Sequence, residues 1–203
     1  IMNSTALKEA QATGYPRDKM YGVWWAGAEP DVKDVGDAKG YHALALNPSG
    51  QQPKVIQDIL KYVHDKGQGT GPRDEVGSVL YTRGVIIQAL AVEAVRRAQE
   101  RFGKGKVMTS EQVRWGLENL NLDQKRLQQL GLDQVMRPIS TSCADHMGSM
   151  KARIETWDGK QWVVHPEYIS ADEQIIKPMV KAGADKYLSD KKLQRRPASD
   201  CNS

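Results

Sequence analysis

The densest group of chemistry-bearing residues lies in Tyr21-Gly22-Val23-Trp24-Trp25-Ala26-Gly27-Ala28-Glu29-Pro30-Asp31, where an apolar run ends in two tryptophans, a glycine and an acid. A strand that stops this way leaves large aromatic faces and the Glu29 carboxylate at its carboxyl end, the edge where open α/β sheets place small ligands. A second group, Tyr81, Thr82 and Arg83, brings a phenol, a hydroxyl and a guanidinium to the start of a helical pattern. Free backbone N–H groups and the helix dipole favour anions there. Catalysis has less to work with. Glu29 and Asp31 stand two apart beside a proline, with no partner for a nucleophile or cofactor. There is no nucleophile elbow. His42, His64, His146 and His165 are scattered, and only Cys143, Asp145 and His146 approach a metal-ligand set. Closed zinc sites take paired ligands from two places, so a capped loop explains that trio better. The glycine-rich loop at 67–73 fits neither a Walker nor a dinucleotide pattern. The residues point to small-molecule binding, with no catalytic residue, metal or cofactor assigned.

The elements that must position these groups follow from periodicity and punctuation. Asn3 and Ser4 are predicted to cap a helix through Leu7 and Ala10, stopped by Gly14 and Pro16. Lys19 to Trp25 reads as a strand, and Gly40 to Leu46 as another, broken by Asn47-Pro48-Ser49-Gly50. Residues 53–65 carry Val55, Ile56, Ile59, Leu60 and Val63 at helical spacing. Residues 79–102 form the most apolar helix, whose early part is predicted to be buried against a sheet. Thr109 with Gln112 makes a capping box for a helix through Leu120, and Asp123 caps a shorter one ending at Gly131. Trp115 is read as a packing residue. Lys151 to Trp157 and Gln161 to Val164 alternate around Asp158-Gly159, a hairpin signal. A last helix, 172–190, is interrupted by Pro178 and Gly183, and a charged tail is expected to fray.

Composition narrows the class. The chain has 203 residues and a net charge of +4, from 29 basic and 25 acidic side chains of interspersed sign. That describes a solvated surface; a nucleic-acid surface would interleave basic and aromatic residues on one face. No window approaches the roughly 18 consecutive apolar residues of a membrane span. Cys143 and Cys201 are compatible with one bridge in an oxidising compartment or with two unrelated thiols. The abrupt start at Ile1-Met2-Asn3, with a helix and strand but no strand before them, reads as a cut inside a domain.

In this order, several of these segments resemble the carboxyl-terminal half of a type I periplasmic solute-binding protein. They are Tyr21 to Asp31, the Gly40 to Leu46 strand, the helix entry Gly77-Ser78-Val79-Leu80-Tyr81-Thr82-Arg83-Gly84, and Asp145-His146-Met147-Gly148 ahead of Trp157-Asp158-Gly159. The branch is similar to branched-chain amino acid receptors of ABC transporters, including members that take up aromatic acids. The resemblance implies an α/β fold of two doubly wound lobes joined by a hinge, only partly represented in this chain. It assigns residues 1–46 to the second lobe, 47–138 to the first, and 139–203 to a second-lobe return, with crossings near 44–48 and 137–141. It implies a periplasmic receptor for an amino acid or aromatic carboxylate that serves a membrane permease, with the amino-terminal half of the same protein completing the cleft; a ligand-sensing domain is the alternative. Carried over by position, Trp24, Trp25, Glu29, Tyr81 and Arg83 become ligand-binding residues. The two tryptophans suit a flat aromatic ligand, Glu29 an ammonium, and Arg83 a carboxylate. Cys143 and Cys201 become a second-lobe disulfide.

Overall fold

The computed structural model describes residues 3–201, which fold into a five-stranded mixed sheet with helices beside it and a largely helical region that holds a second, two-stranded sheet. Helix α1 (Asn3–Ala12) buries Leu7 and already includes Asn3. Asn3 is therefore no cap; its Nδ2 donates to the Trp25 carbonyl at 3.1 Å and to Asp31 Oδ1 at 3.0 Å. The strand expected from Lys19 to Trp25 shrinks to β1 (Tyr21–Gly22). A 3-10 turn, Arg17–Lys19, precedes it, and a second, Trp24–Ala26, takes both tryptophans out of the sheet. Glycines lie on either side of this turn where no side chain fits: a Cβ on Gly22 would lie 2.0 Å from the Tyr41 hydroxyl, and one on Gly27 2.5 Å from Glu155 Oε1.

Helix α2 (Glu29–Val32) leads to β2 (His42–Ala45), which runs parallel to β1. The chain then leaves this sheet and returns with β5 (Lys151–Trp157), antiparallel to β2, so that Leu44 faces Ile154 in register. β6 (Trp162–Val164) closes the predicted hairpin, pairing Trp162 with Trp157, and β7 (Ile169–Ser170) pairs with the start of β5. The order is β1-β2-β5-β6 with β7 beside β5. Leu7, Val32, Tyr41, Ala43, Trp157 and Trp162 form the core on this sheet.

Between Ala45 and Lys151 the chain is mostly helical. α3 (Lys54–Tyr62) buries Ile56 and Leu60 against Val76. α4 (Val79–Phe102) is the longest helix, capped by Ser78, whose Oγ accepts from Tyr81 N at 3.4 Å. It departs from the sequence expectation. Only its first residue, Val79, joins the sheet core, while Ile86, Ala89 and Leu90 pack on a separate cluster and Ile87 and Val92 stay exposed. α5 (Ser110–Leu117) carries the predicted Thr109–Gln112 capping box and crosses α4 closely, because Gly116 sits on the Ala94 carbonyl. Trp115 packs edge-on against Phe102, as expected of a packing residue. β3 (Asn121–Leu122) pairs with β4 (Ile139–Ser140), and between them α6 (Gln124–Leu130) is capped by Asp123.

The final helix, α7 (Glu173–Lys191), passes through Pro178 and Gly183 without a break, and nothing on it is buried. As far as Cys201 the tail after it is tied back to the fold, unlike the expected fraying, and residues 202–203 lie outside the described residues. Arg196 forks onto Glu118 with hydrogen bonds of 2.5 and 3.1 Å, and the 3-10 turn Ala198–Cys201 ends in a disulfide between Cys201 and Cys143.

Candidate ligand-binding site

Four stretches of chain meet around a cavity of about 580 Å³: the Trp24 turn, Leu46 and Asn47 just after β2, α4 with α5, and the segment that runs from Met136 through β4 to Ser149. Its walls are apolar side chains spaced along these elements, among them Leu46, Ile86, Leu90, Leu117, Met136 and Ile139. On α4, residues 83, 86, 87 and 90 fall on one face by their three- and four-residue spacing, which brings Arg83 into line with the apolar wall. Arg83, Arg114 and Arg137 are the cations of this lining. Its one acid, Glu118, is spent on Arg196, whose hydrogen bonds hold its carboxyl below the usual glutamate range. His146 lies 3.5 Å from the same carboxylate. The cavity therefore offers apolar walls with arginines among them.

Two of these arginines are held by partners of their own. Arg83 Nη2 donates to the Trp24 carbonyl at 3.1 Å, and its guanidinium carbon stands 5.9 Å from the centre of the Trp25 ring. This ties the first turns of α4 to the tryptophan turn. Burial lowers the Arg83 pKa, while Glu155 and Asp31 oppose that shift. Arg137 Nε donates to Ser149 Oγ at 2.7 Å, and its guanidinium lies over the Tyr168 ring. Burial lowers its pKa as well.

The residues singled out from sequence are not all gathered here. Trp24 and Arg83 line this cavity, and Trp25, two-thirds exposed, touches Arg83 from outside it. Glu29 and Tyr81 line a different, more polar cavity of about 630 Å³, together with Lys33, Asp74, Glu75 and Lys160. Glu29 is already engaged: both carboxylate oxygens accept from Val79 N at 3.2 Å, so the acid serves the amino end of α4. Favourable placement of a carboxylate at a helix start explains this role.

Sequence reading passed over Glu155 and Arg137. Glu155 is 1 % exposed on β5, with burial and then Glu29 pushing its pKa up to about 8, against Arg83 and Arg153. The alternation of β5 carried the signal, since Glu155 falls in phase with the buried Trp157. Arg137 precedes Pro138 at one of the expected crossings. The scattered histidines also conceal a meeting, because His42 Nδ1 and His165 Nε2 both hydrogen-bond Thr156 Oγ1, at 2.7 and 2.8 Å. Among the described residues no group of three His, Cys, Asp or Glu side chains could hold a metal ion, and Cys143 is committed to its disulfide.

Solved structures provide the frame for this geometry. A crystal structure described as an ABC transporter permease from the Pseudomonas fluorescens group matches with a TM-score of 0.90 and 36 % identity, covering 97 % of this chain and 48 % of that one. A branched-chain amino acid ABC transporter from Thermus thermophilus with bound valine matches with a TM-score of 0.61 at 24 % identity, covering 86 % of this chain and 45 % of that one. An ABC transporter substrate-binding protein from Aeropyrum pernix gives 0.63 at 16 % identity, covering 86 % and 43 %. The fold is that of part of a type I periplasmic binding protein. The chain spans about half the length of each structure it matches in this binding-protein fold. No protein-family model and no curated protein matches the sequence. Among the described residues no helix is long and apolar enough to cross a membrane.

Proposed function

We propose that this chain is part of a solute-binding receptor of an ABC importer, and that its site takes a small apolar carboxylate, aromatic in preference to aliphatic. The observation that carries this reading is Arg83, a half-buried guanidinium fixed to the Trp24 carbonyl at the edge of an apolar cavity. A charge-assisted bond to arginine orients a carboxylate, and an indole face with aliphatic walls accepts a ring. An amino acid would also need an acid for its ammonium. Glu29, the residue expected to provide one, lines the other cavity and is bonded to Val79 N. In this proposal residues 1–46 and 139–203 belong to the second lobe and 47–138 to the first, with closure about the hinge trapping the ligand. The partners are the membrane permease and the amino-terminal half of the receptor, and the compartment is the periplasm. The role is binding, not turnover.

Isothermal titration of the intact protein with benzoate, phenylacetate and valine tests this reading. The aromatic acids are expected to bind more tightly than valine, and Arg83→Gln should cost about tenfold or more in their affinity, the value of one charge-assisted hydrogen bond. Tighter binding of valine, or aromatic-acid binding indifferent to Arg83→Gln, would overturn it.

A further inference from the structure

Three acids are deeply buried among the described residues, and two of them are held by arginines: Glu93 by Arg96 and Arg126, Glu118 by Arg196. Glu155 is the exception. It is the most buried of the three, and its Oε2 has no hydrogen-bond partner. The Trp24–Ala26 turn is laid against this carboxyl, since a Cβ on Gly27 would stand 2.5 Å from Glu155 Oε1. On the same turn Arg83 Nη2 holds the Trp24 carbonyl, while Arg83 Nε is buried and also without a partner. An unpaired donor and an unpaired acceptor of opposite charge thus flank one turn, each costly to leave unbonded. The charged and titratable groups facing Glu155 are Glu29 on α2, Tyr41 ahead of β2, Arg83 on α4 and Arg153 on its own strand.

We propose that Glu155 is a positioning residue that competes with the bound ligand for Arg83. Protonated, it leaves the guanidinium on Trp24 and available to the cavity; ionised, it draws the guanidinium inward, pairs with Arg83 Nε and withdraws that charge from the Trp24 side of the cavity. Burial and Glu29 push Glu155 up to about 8, so that at neutral pH the proton stays on and the site stands ready for an anion. An anion beside Arg83 reinforces that state, because it disfavours a second negative charge nearby. This inference rests on the reading of Arg83 as the counter-charge of the cavity.

Two measurements on the intact protein and on Glu155→Gln test it together: tryptophan emission followed without ligand from about pH 6 to about pH 9, and benzoate titration calorimetry at both ends of that range. Moving Arg83 away from Trp25 should change the emission with a midpoint near the Glu155 value of about 8. Glu155→Gln, which mimics the protonated form, should keep the low-pH emission throughout. Benzoate affinity should fall about tenfold towards high pH in the wild type and hold constant in the variant. Absence of the emission change, or its persistence in Glu155→Gln, overturns the proposal. An emission change confined to the wild type, with no benzoate bound at either pH, supports the movement of Arg83 and removes the carboxylate-receptor reading instead.

Discussion

Glu29 and Glu155 are near enough to act on each other's charge, and they do different work. Glu29 stands out in the linear order because it follows two tryptophans, yet its carboxylate is bonded to Val79 N at the amino end of α4. Glu155 sits in the first strand of the predicted hairpin, and its chemistry comes from burial that no local pattern states; only its phase with Trp157 betrays it. Its folded-state pKa of about 8 lies above the ordinary glutamate value of 4.5, which fixes a sign. Protonated Glu155 costs nothing below the unfolded value, and stability is lost as pH rises from about 4.5 towards about 8, because the unfolded chain gives up the proton more readily. Glu155→Gln should therefore flatten the pH dependence of stability across this window. Urea midpoints should differ little near the acid end and favour the variant at the alkaline end. A wild-type protein as stable as Glu155→Gln at the alkaline end would contradict the raised pKa.

At the scale of elements, the capped helices and the hairpin were the legible part. Thr109 with Gln112, Asp123 and Asp158-Gly159 each act through hydrogen bonds within a few residues, and each does so in the structure. What the sequence could not show was set by distant neighbours. The strand before Trp24 gives way to a turn bracketed by Gly22 and Gly27, which Tyr41 and Glu155 leave no room to replace, and α4 packs mainly on other helices although its composition resembles that of a sheet-buried one. The α4–α5 crossing depends on a single missing side chain, since a Cβ on Gly116 would fall 2.0 Å from the Ala94 carbonyl. Gly116→Ala should thus destabilise the protein by about 2 kcal/mol, despite alanine's better helix propensity, because backbone must move to admit the methyl. Chemical denaturation measures this directly. A neutral or stabilising result would mean that the two helices do not approach as described.

For the whole molecule, the cavity is legible only once the chain is folded, because its walls come from residues as far apart as Trp24 and Ser149. The sequence singled out Trp24 and Arg83 on it; Arg137, Met136 and Ile139 arrive through β4 and the turn before it, which no motif marked. The tail contributes indirectly, as Arg196 and the Cys143–Cys201 bridge hold Glu118 and the 143–149 loop at the cavity's edge. On the proposed function, a carboxylate ligand sits in this junction with its charge on Arg83. The most direct measurement is a crystal structure of the intact protein grown with phenylacetate. The predicted result places the ring among Trp24, Ile86 and Leu90 and the carboxylate within hydrogen-bond distance of Arg83. Phenylacetate found instead in the polar cavity beside Glu29 and Tyr81, or bound with its carboxylate away from Arg83, would contradict the account.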